Sequence, residues 1–221
     1  MEQTFKTATE VLRMPSPAPR PQSIAFDGET LWMGSIETCR IYAIDPVHWT
    51  VREEVAAPGK PWGMTVMGDE LRVLCGEGDD DTRVIRRFIP GHGFKKEGSI
   101  PAPDDTGSQL AFDGDRLYVS QWYNKRVISL DADGNTGSVI HSPHGICGQV
   151  IVQGVFYLLG TDDEDSDEYY LTRIDARDGN SKAEDIAQVR FQGRGLAYDS
   201  THDRFFSNHR EHNQVVAFTI S

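Results

Sequence analysis

Basic charge and cysteine are both scarce in this chain of 221 residues. Its 22 lysines and arginines face 34 aspartates and glutamates, a net charge of −12. That balance argues against long-range attraction to nucleic-acid phosphates or anionic lipid, and favours cations and cationic partners. The three cysteines, Cys39, Cys75 and Cys147, stand in unlike contexts with no CxxC or metal-ligand spacing. An odd number argues against a disulfide framework and for a reducing compartment. No apolar run approaches the roughly 18 residues of a membrane-crossing helix. The opening MEQTFKTATE also lacks a basic region followed by an apolar stretch. The expected location is cytoplasmic, and a secreted mature form fits the same observation. Familiar catalytic signatures are missing: there is no GxSxG elbow, no P-loop, no GxGxxG after a strand and no HExxH.

What the chain has instead is repetition. Gln109 to Gly134, QLAFDGDRLYVSQWYNKRVISLDADG, holds three short alternating runs divided by two turns. Leu110 to Phe112 is the first run, Asp113-Gly114 a tight-turn dipeptide, Leu117 to Val119 the second run and Val127 to Leu130 the third. The same phrase begins at Ser23, Gly63, Gln149 and Gly195, so successive copies are 40, 46, 40 and 46 residues apart. A period near 43 residues with four strands per unit is the pattern of propeller blades.

A fourth strand candidate follows four of the copies: VREEVAAPGKP, KKEGSIPAP, GSVIHSPHG and AEDIAQVRF. The last copy has none before the sequence ends, while TATEVLRMPSPAPRP, residues 7–21, has the same shape ahead of the first. The expected architecture is all-β: a single five-bladed β-propeller domain over residues 1–221, with four antiparallel strands per blade. The segment near Glu10 to Met14 is expected to be the outer strand of the last blade, which removes an open sheet edge.

In such a fold, loops from every blade converge on one face, where ligands meet concave surface. The repeat alignment places Gln22, Trp62, Gln109, Cys147, Gln149 and Arg194 at the entrances to the inner strands. Gln121 and His209 fall at the ends of second strands, with Glu37 and Trp122 just beyond. Gln22, Trp62, Gln109, Gln121, Trp122, Cys147 and Gln149 are therefore the expected ligand-binding residues. Arg194 has the planar fork that suits a carboxylate or phosphate, and pairing with Glu37 or Glu77 would instead make it a structural plug. Trp62 and Trp122 are either stacking walls or filler under loops.

The NHREHN stretch sets His209 and His212 three residues apart, and His144 is a candidate third ligand for a divalent metal such as zinc. Without metal, His209 is a candidate general base oriented by a carboxylate. Two acidic loops, residues 76–82 and 161–168, are dense enough in carboxylate for calcium, yet lack the spaced DxDxDG pattern and also fit a solvated rim. Arg40, Arg83 and Arg126 recur at third-strand starts, which points to a shared hydrogen bond across the turn.

The phrases SIAFDGETLWMGSIETCRIYAID, PWGMTV, QLAFDGDRLYVSQWYNKRVISLD and GLAYDSTHDRFF resemble blades of the five-bladed glutaminyl cyclotransferase-like propellers. They resemble more loosely the NHL, YncE and SMP-30/gluconolactonase group. The resemblance covers the whole chain and implies the fold. Of the cyclotransferase opening only Gln22 matches, and Met33 stands where that family has an acid. The expected function is an enzyme acting on a small polar molecule by hydrolase or lyase acid–base chemistry, with His209, Arg194 and Glu37 in the catalytic roles. A non-catalytic propeller that binds a ligand or protein on the same face is the alternative.

Overall fold

The structure is a computed structural model describing residues 6–175 and 182–220. Its repeated hairpin shows how the sequence sets the local fold. Asp113 Oδ1 accepts from the backbone N–H of Asp115 and Arg116, and Asp113 Oδ2 accepts from the Tyr118 hydroxyl. In the first copy Asp27 Oδ1 accepts from the N–H of Glu29 and Thr30, and Oδ2 from the Trp32 indole. Gly28 and Gly114 take φ of 102° and 103°, a conformation that needs no Cβ in the way. One carboxylate thus closes the turn and anchors an aromatic residue of the next strand.

Three four-stranded antiparallel sheets follow from these hairpins. The first is β2 (Pro21–Phe26), β3 (Leu31–Ser35), β4 (Arg40–Asp45) and β5 (Thr50–Ala56). The second is β6 (Lys60–Met67), β7 (Glu70–Glu77), β8 (Thr82–Ile89) and β9 (Gly93–Pro101), and the third is β10 (Gln109–Phe112), β11 (Leu117–Gln121), β12 (Arg126–Leu130) and β13 (Thr136–His141). The remaining strands are β14 (Gly145–Val152), β15 (Val155–Thr161), β16 (Tyr169–Asp175), β17 (Ala183–Val189), β18 (Gly193–Asp199), β19 (Arg204–His209), β20 (Gln214–Ile220) and the N-terminal β1 (Lys6–Pro15).

These last eight strands form one sheet, ordered β14-β15-β16-β17-β1-β20-β19-β18, where separate four-stranded units were expected. The cause is β1. It pairs antiparallel with β20 from Ala8 to Pro15, and its first residues also pair parallel with β17 at Lys6–Ala187 and Thr7–Gln188. Two edges that would each present unpaired N–H and C=O groups satisfy one another instead.

Apolar side chains fill the spaces between consecutive strand groups. Ile41, Trp32, Val73 and Phe88 pack between the first and second groups, and Leu74, Ile85, Leu117 and Val119 between the second and third. Tyr118, Val127, Phe156 and Ile174 fill the next space, then Leu159, Tyr169, Val216 and Phe218. Ile24, Met33, Phe206 and Ala217 join the last group to the first. The inner strands touch in the same closed order, β2 to β6, β10, β14, β18 and back to β2. Close approach at this axis demands glycine: a Cβ on Gly63 would lie 2.7 Å from Gln109 Cα, and one on Gly148 would lie 2.6 Å from the Gly195 carbonyl carbon. Among the described residues no helix is long and apolar enough to cross a membrane.

Candidate functional site

At the N-terminal ends of the inner strands lies a cavity of about 350 Å³. Seven residues expected there line it: Gln22, Trp62, Gln109, Gln121, Trp122, Cys147 and Arg194. Asp81, Arg83, Glu164 and Arg210 complete its charged lining, with Tyr123 and Asn124 beside Trp122.

Arg194 is the deepest cation, 3% exposed. Its Nη1 donates to the Tyr169 hydroxyl at 2.5 Å and to the Gly193 carbonyl at 2.9 Å, and meets Cys147 Sγ at 3.7 Å. The guanidinium also stands over the Tyr169 ring, 5.6 Å from its centre. Burial works against the Arg194 charge, but the Cys147 and Tyr169 side chains hold its pKa above the ordinary value. Burial pushes the Cys147 thiol up to about 11, so this cysteine is a neutral wall and not a thiolate nucleophile near pH 7.

Two further arginines reach the cavity. Arg210 Nη1 donates to Gln22 Oε1 at 3.1 Å and its Nε to Glu211 at 3.0 Å. Arg83 donates to the Gly107 carbonyl, pairs with Asp81 at 2.8 Å and lies over the Trp62 ring, 4.3 Å from its centre. Trp62 donates its indole N–H to Asp81 at 3.2 Å. One face of Trp62 is therefore taken by Arg83, which limits its part as a stacking wall. Trp122 stacks edge-on against Tyr123 at 4.9 Å, and Tyr123 is 88% exposed at the rim.

The glutamines divide into two kinds. Gln121 is fixed by donating to the Pro103 carbonyl and Asp104 while accepting from Asn124 and Arg126. Gln109 donates to the Trp62 carbonyl, and Gln149 to the carbonyls of Gln109 and Tyr118. These amides stitch one inner strand to the next. Gln149 lines a second cavity at the opposite end of the inner strands, so its expected place beside the ligand is corrected.

Other expected site residues also lie apart from the cavity. Glu37 is exposed at the β3–β4 turn, and Glu77 is held bidentately by Arg86 at 2.6 Å through each oxygen. The acid that faces Arg194 is Glu164, with Oε2 3.5 Å from Nη2. His209 sits at the seam with β1, where Arg13 Nη1 lies 2.9 Å from its Nδ1, His212 Nδ1 is 3.3 Å away and Phe191 packs on the ring. Burial, with His212 and the Arg13 cation beside it, holds His209 down to about 4, neutral with its Nδ1 lone pair occupied. Its geometry does not address the cavity, because β19 turns this side chain toward the last strands of the sheet.

The proposed metal set is not gathered either. His144 is clamped between Asp162 at 2.9 Å and Asp185 at 3.1 Å and is stacked on Tyr170. His209 and His212 belong to the separate seam. Among the described residues no group of three or more His, Cys, Asp or Glu is arranged to hold a metal ion, in the acidic loops or elsewhere. Asp81 and Asp162 are instead taken one by one by Arg83 and Lys125. The three recurring arginines differ as well: Arg40 pairs with Glu54, Arg83 with Asp81, and Arg126 with Asp104 and Gln121.

Arg83 and Glu164 escape a reading based on unlike positions. Arg83 shares its place with two siblings, and Glu164 is hidden inside a run of acids that reads as rim. The nearest signal was the length of the acidic loops, which lets them fold back over the axis.

No protein-family model matches the sequence, and no curated protein does. Solved structures match by shape. Hydrazine synthase from Kuenenia stuttgartiensis aligns with a TM-score of 0.54 and 18% identity, over 90% of this chain and 64% of that one, so this chain spans less than two thirds of its length. The PQQ-bound aldose sugar dehydrogenase from Streptomyces coelicolor aligns with a TM-score of 0.61 and 11% identity, over 97% of this chain and 98% of that one. At such identities the likeness is one of fold, and it makes the all-β arrangement β-propeller-like.

Proposed function

We propose that the chain is a single five-bladed β-propeller that holds a small organic anion in the arginine-lined cavity on its axis. The closed order of five inner strands and five interleaved cores supports the blade count, with β17 and β1 as abutting edges of neighbouring blades. One observation carries the functional reading. A guanidinium only 3% exposed lines the cavity with two more arginines beside it, in a chain whose net charge is −12. Burying that cation costs several kcal/mol on the order of magnitude known for buried ions, and a ligand anion offsets the cost. Gln22, Gln109, Gln121 and Asn124 supply the neutral polar lining, and Trp122 and Tyr123 an aromatic rim.

We read the site as a binding site first. Hydrolase or lyase chemistry through His209 lacks its base in the cavity, since that imidazole sits at the β1 seam, and Asp81 and Glu164 each face an arginine. Neither nucleic acid nor membrane is among the proposed partners.

A thermal-shift screen with carboxylates, lactones, zinc, calcium and PQQ tests the proposal, because a ligand of the folded state raises apparent stability by mass action. PQQ enters the panel as the molecule bound in the sugar dehydrogenase structure, and product analysis of each lactone sample reads out turnover. Organic anions should raise Tm, and Arg194→Gln and Arg210→Gln should each remove the shift. A panel in which anions give no shift while folded protein is retained overturns the reading.

A further inference from the structure

Arg194 is met by an acid of its own chain, and the pairing is lopsided. The Arg194 side chain is 4% exposed, while that of Glu164 is 45% exposed, and 3.5 Å separates Nη2 from Oε2. A charge-assisted hydrogen bond of this type spans about 2.7–2.9 Å, so the contact is an ion pair short of full engagement. Arg194 Nη1 is already committed to Tyr169, Gly193 and Cys147. Nη2 is left toward the cavity, and the Glu164 carboxylate is what faces it.

The loop that delivers this acid is tied down by its backbone. Thr161 Oγ1 donates to the carbonyls of Asp163 and Glu168, both at 2.9 Å, and the Gln192 amide donates to the Asp165 carbonyl. Tyr169 accepts from Arg194 and donates its own hydroxyl to the Glu164 carbonyl at 3.3 Å. Of residues 161–168, Glu164 alone lines the cavity. The backbone is thus anchored to the same tyrosine that positions Arg194, while the carboxylate stays solvent-facing.

Resting on the anion reading of the cavity, we infer that Glu164 is an internal carboxylate competitor at Arg194, displaced by a ligand carboxylate. The ligand class follows from the surroundings. Arg83 is paired with Asp81 and Arg210 with Glu211, so displacing Glu164 frees one positive charge, that of Arg194, which matches a monocarboxylate better than a phosphate dianion. Trp122 and Tyr123 at the rim match an aromatic body on that acid.

Isothermal titration of the full chain and of E164Q with benzoate, its neutral counterpart benzamide and inorganic phosphate tests this. Glu164 is exposed, so E164Q retains the fold, which a melt confirms. Removing a half-exposed charge pair should tighten benzoate about fivefold. Benzamide affinity should not change, and phosphate should bind the wild type more weakly than benzoate. Equal or weaker benzoate binding by E164Q, an equal gain for benzamide, or phosphate binding ahead of benzoate overturns the role of Glu164 and leaves the cavity reading intact. No benzoate binding by either folded protein overturns both.

Discussion

Gln149 is 2% exposed, and its amide N–H groups hold two carbonyls of the neighbouring strand group while its Oε1 has no partner. Gln149→Leu strands both carbonyls away from water but also removes the orphaned oxygen. The expected cost is about 2 kcal/mol in denaturant unfolding, with anion affinity unchanged because the side chain faces the other cavity. A loss of affinity without loss of stability would return Gln149 to the binding site. Arg194 should behave in the opposite way, with Arg194→Gln weakening anion binding by about 30-fold, or ~2 kcal/mol for a charge-assisted pair, in calorimetry. In the repeat alignment Gln149 stands one place after the position that Arg194 occupies, Gly148 being the counterpart of Arg194. Which end of the inner strand a side chain addresses depends on register shifts such as those between Ile146 and Gly148 and between Arg194 and Ala197, and no periodicity reports these.

The loop and strand contacts around His144 form an element whose stability depends on pH. Asp185, then Asp162, raises the His144 pKa above the ordinary value of 6.5, against burial. Lys125, then His144, holds Asp162 below 3.8, and His144 and Thr172 outweigh burial to do the same for Asp185. With the folded histidine pKa raised, its contribution is complete below pH 6.5 and is lost as pH rises through the elevated value. The two aspartates contribute above the ordinary carboxylate range, and that part is lost as pH falls through their depressed values. His144→Asn should therefore flatten the alkaline fall of stability seen in Tm against pH. An unchanged slope contradicts the clamp. The N-terminal strand is a second such element. Removing residues 1–15 uncovers β20 and takes Leu12 from its core cluster, at an expected cost of about 3 kcal/mol or more, with association visible by light scattering. The repeat made this strand legible, since TATEVLRMP has the shape of an outer strand and, of the five copies of the repeat, only the last is not followed by one. The parallel contact with β17 was not legible, because it depends on how closely two edges approach and not on their patterning.

Over the whole molecule, net charge and site charge point in opposite directions. A chain at −12 predicts attraction to cations, yet its axial cavity gathers Arg83 from the second strand group and Arg194 and Arg210 from the last. Composition averages over a surface, whereas a cavity samples the few residues at strand entrances, so the sum conceals the site. Arg194 could be found from sequence because it breaks the pattern of its siblings. Glu37 was the wrong acid because repeat position gives where a loop starts and not where it folds, and the longer acidic loop reaches the axis instead. The measurement that bears most directly on the cavity is a crystal structure of the protein grown with benzoate. The account predicts the benzoate carboxylate within hydrogen-bond distance of Arg194 and Arg210, with Glu164 turned aside. Benzoate bound at the His209 seam or at the opposite end of the axis, with the Arg194–Glu164 pair intact, would contradict it.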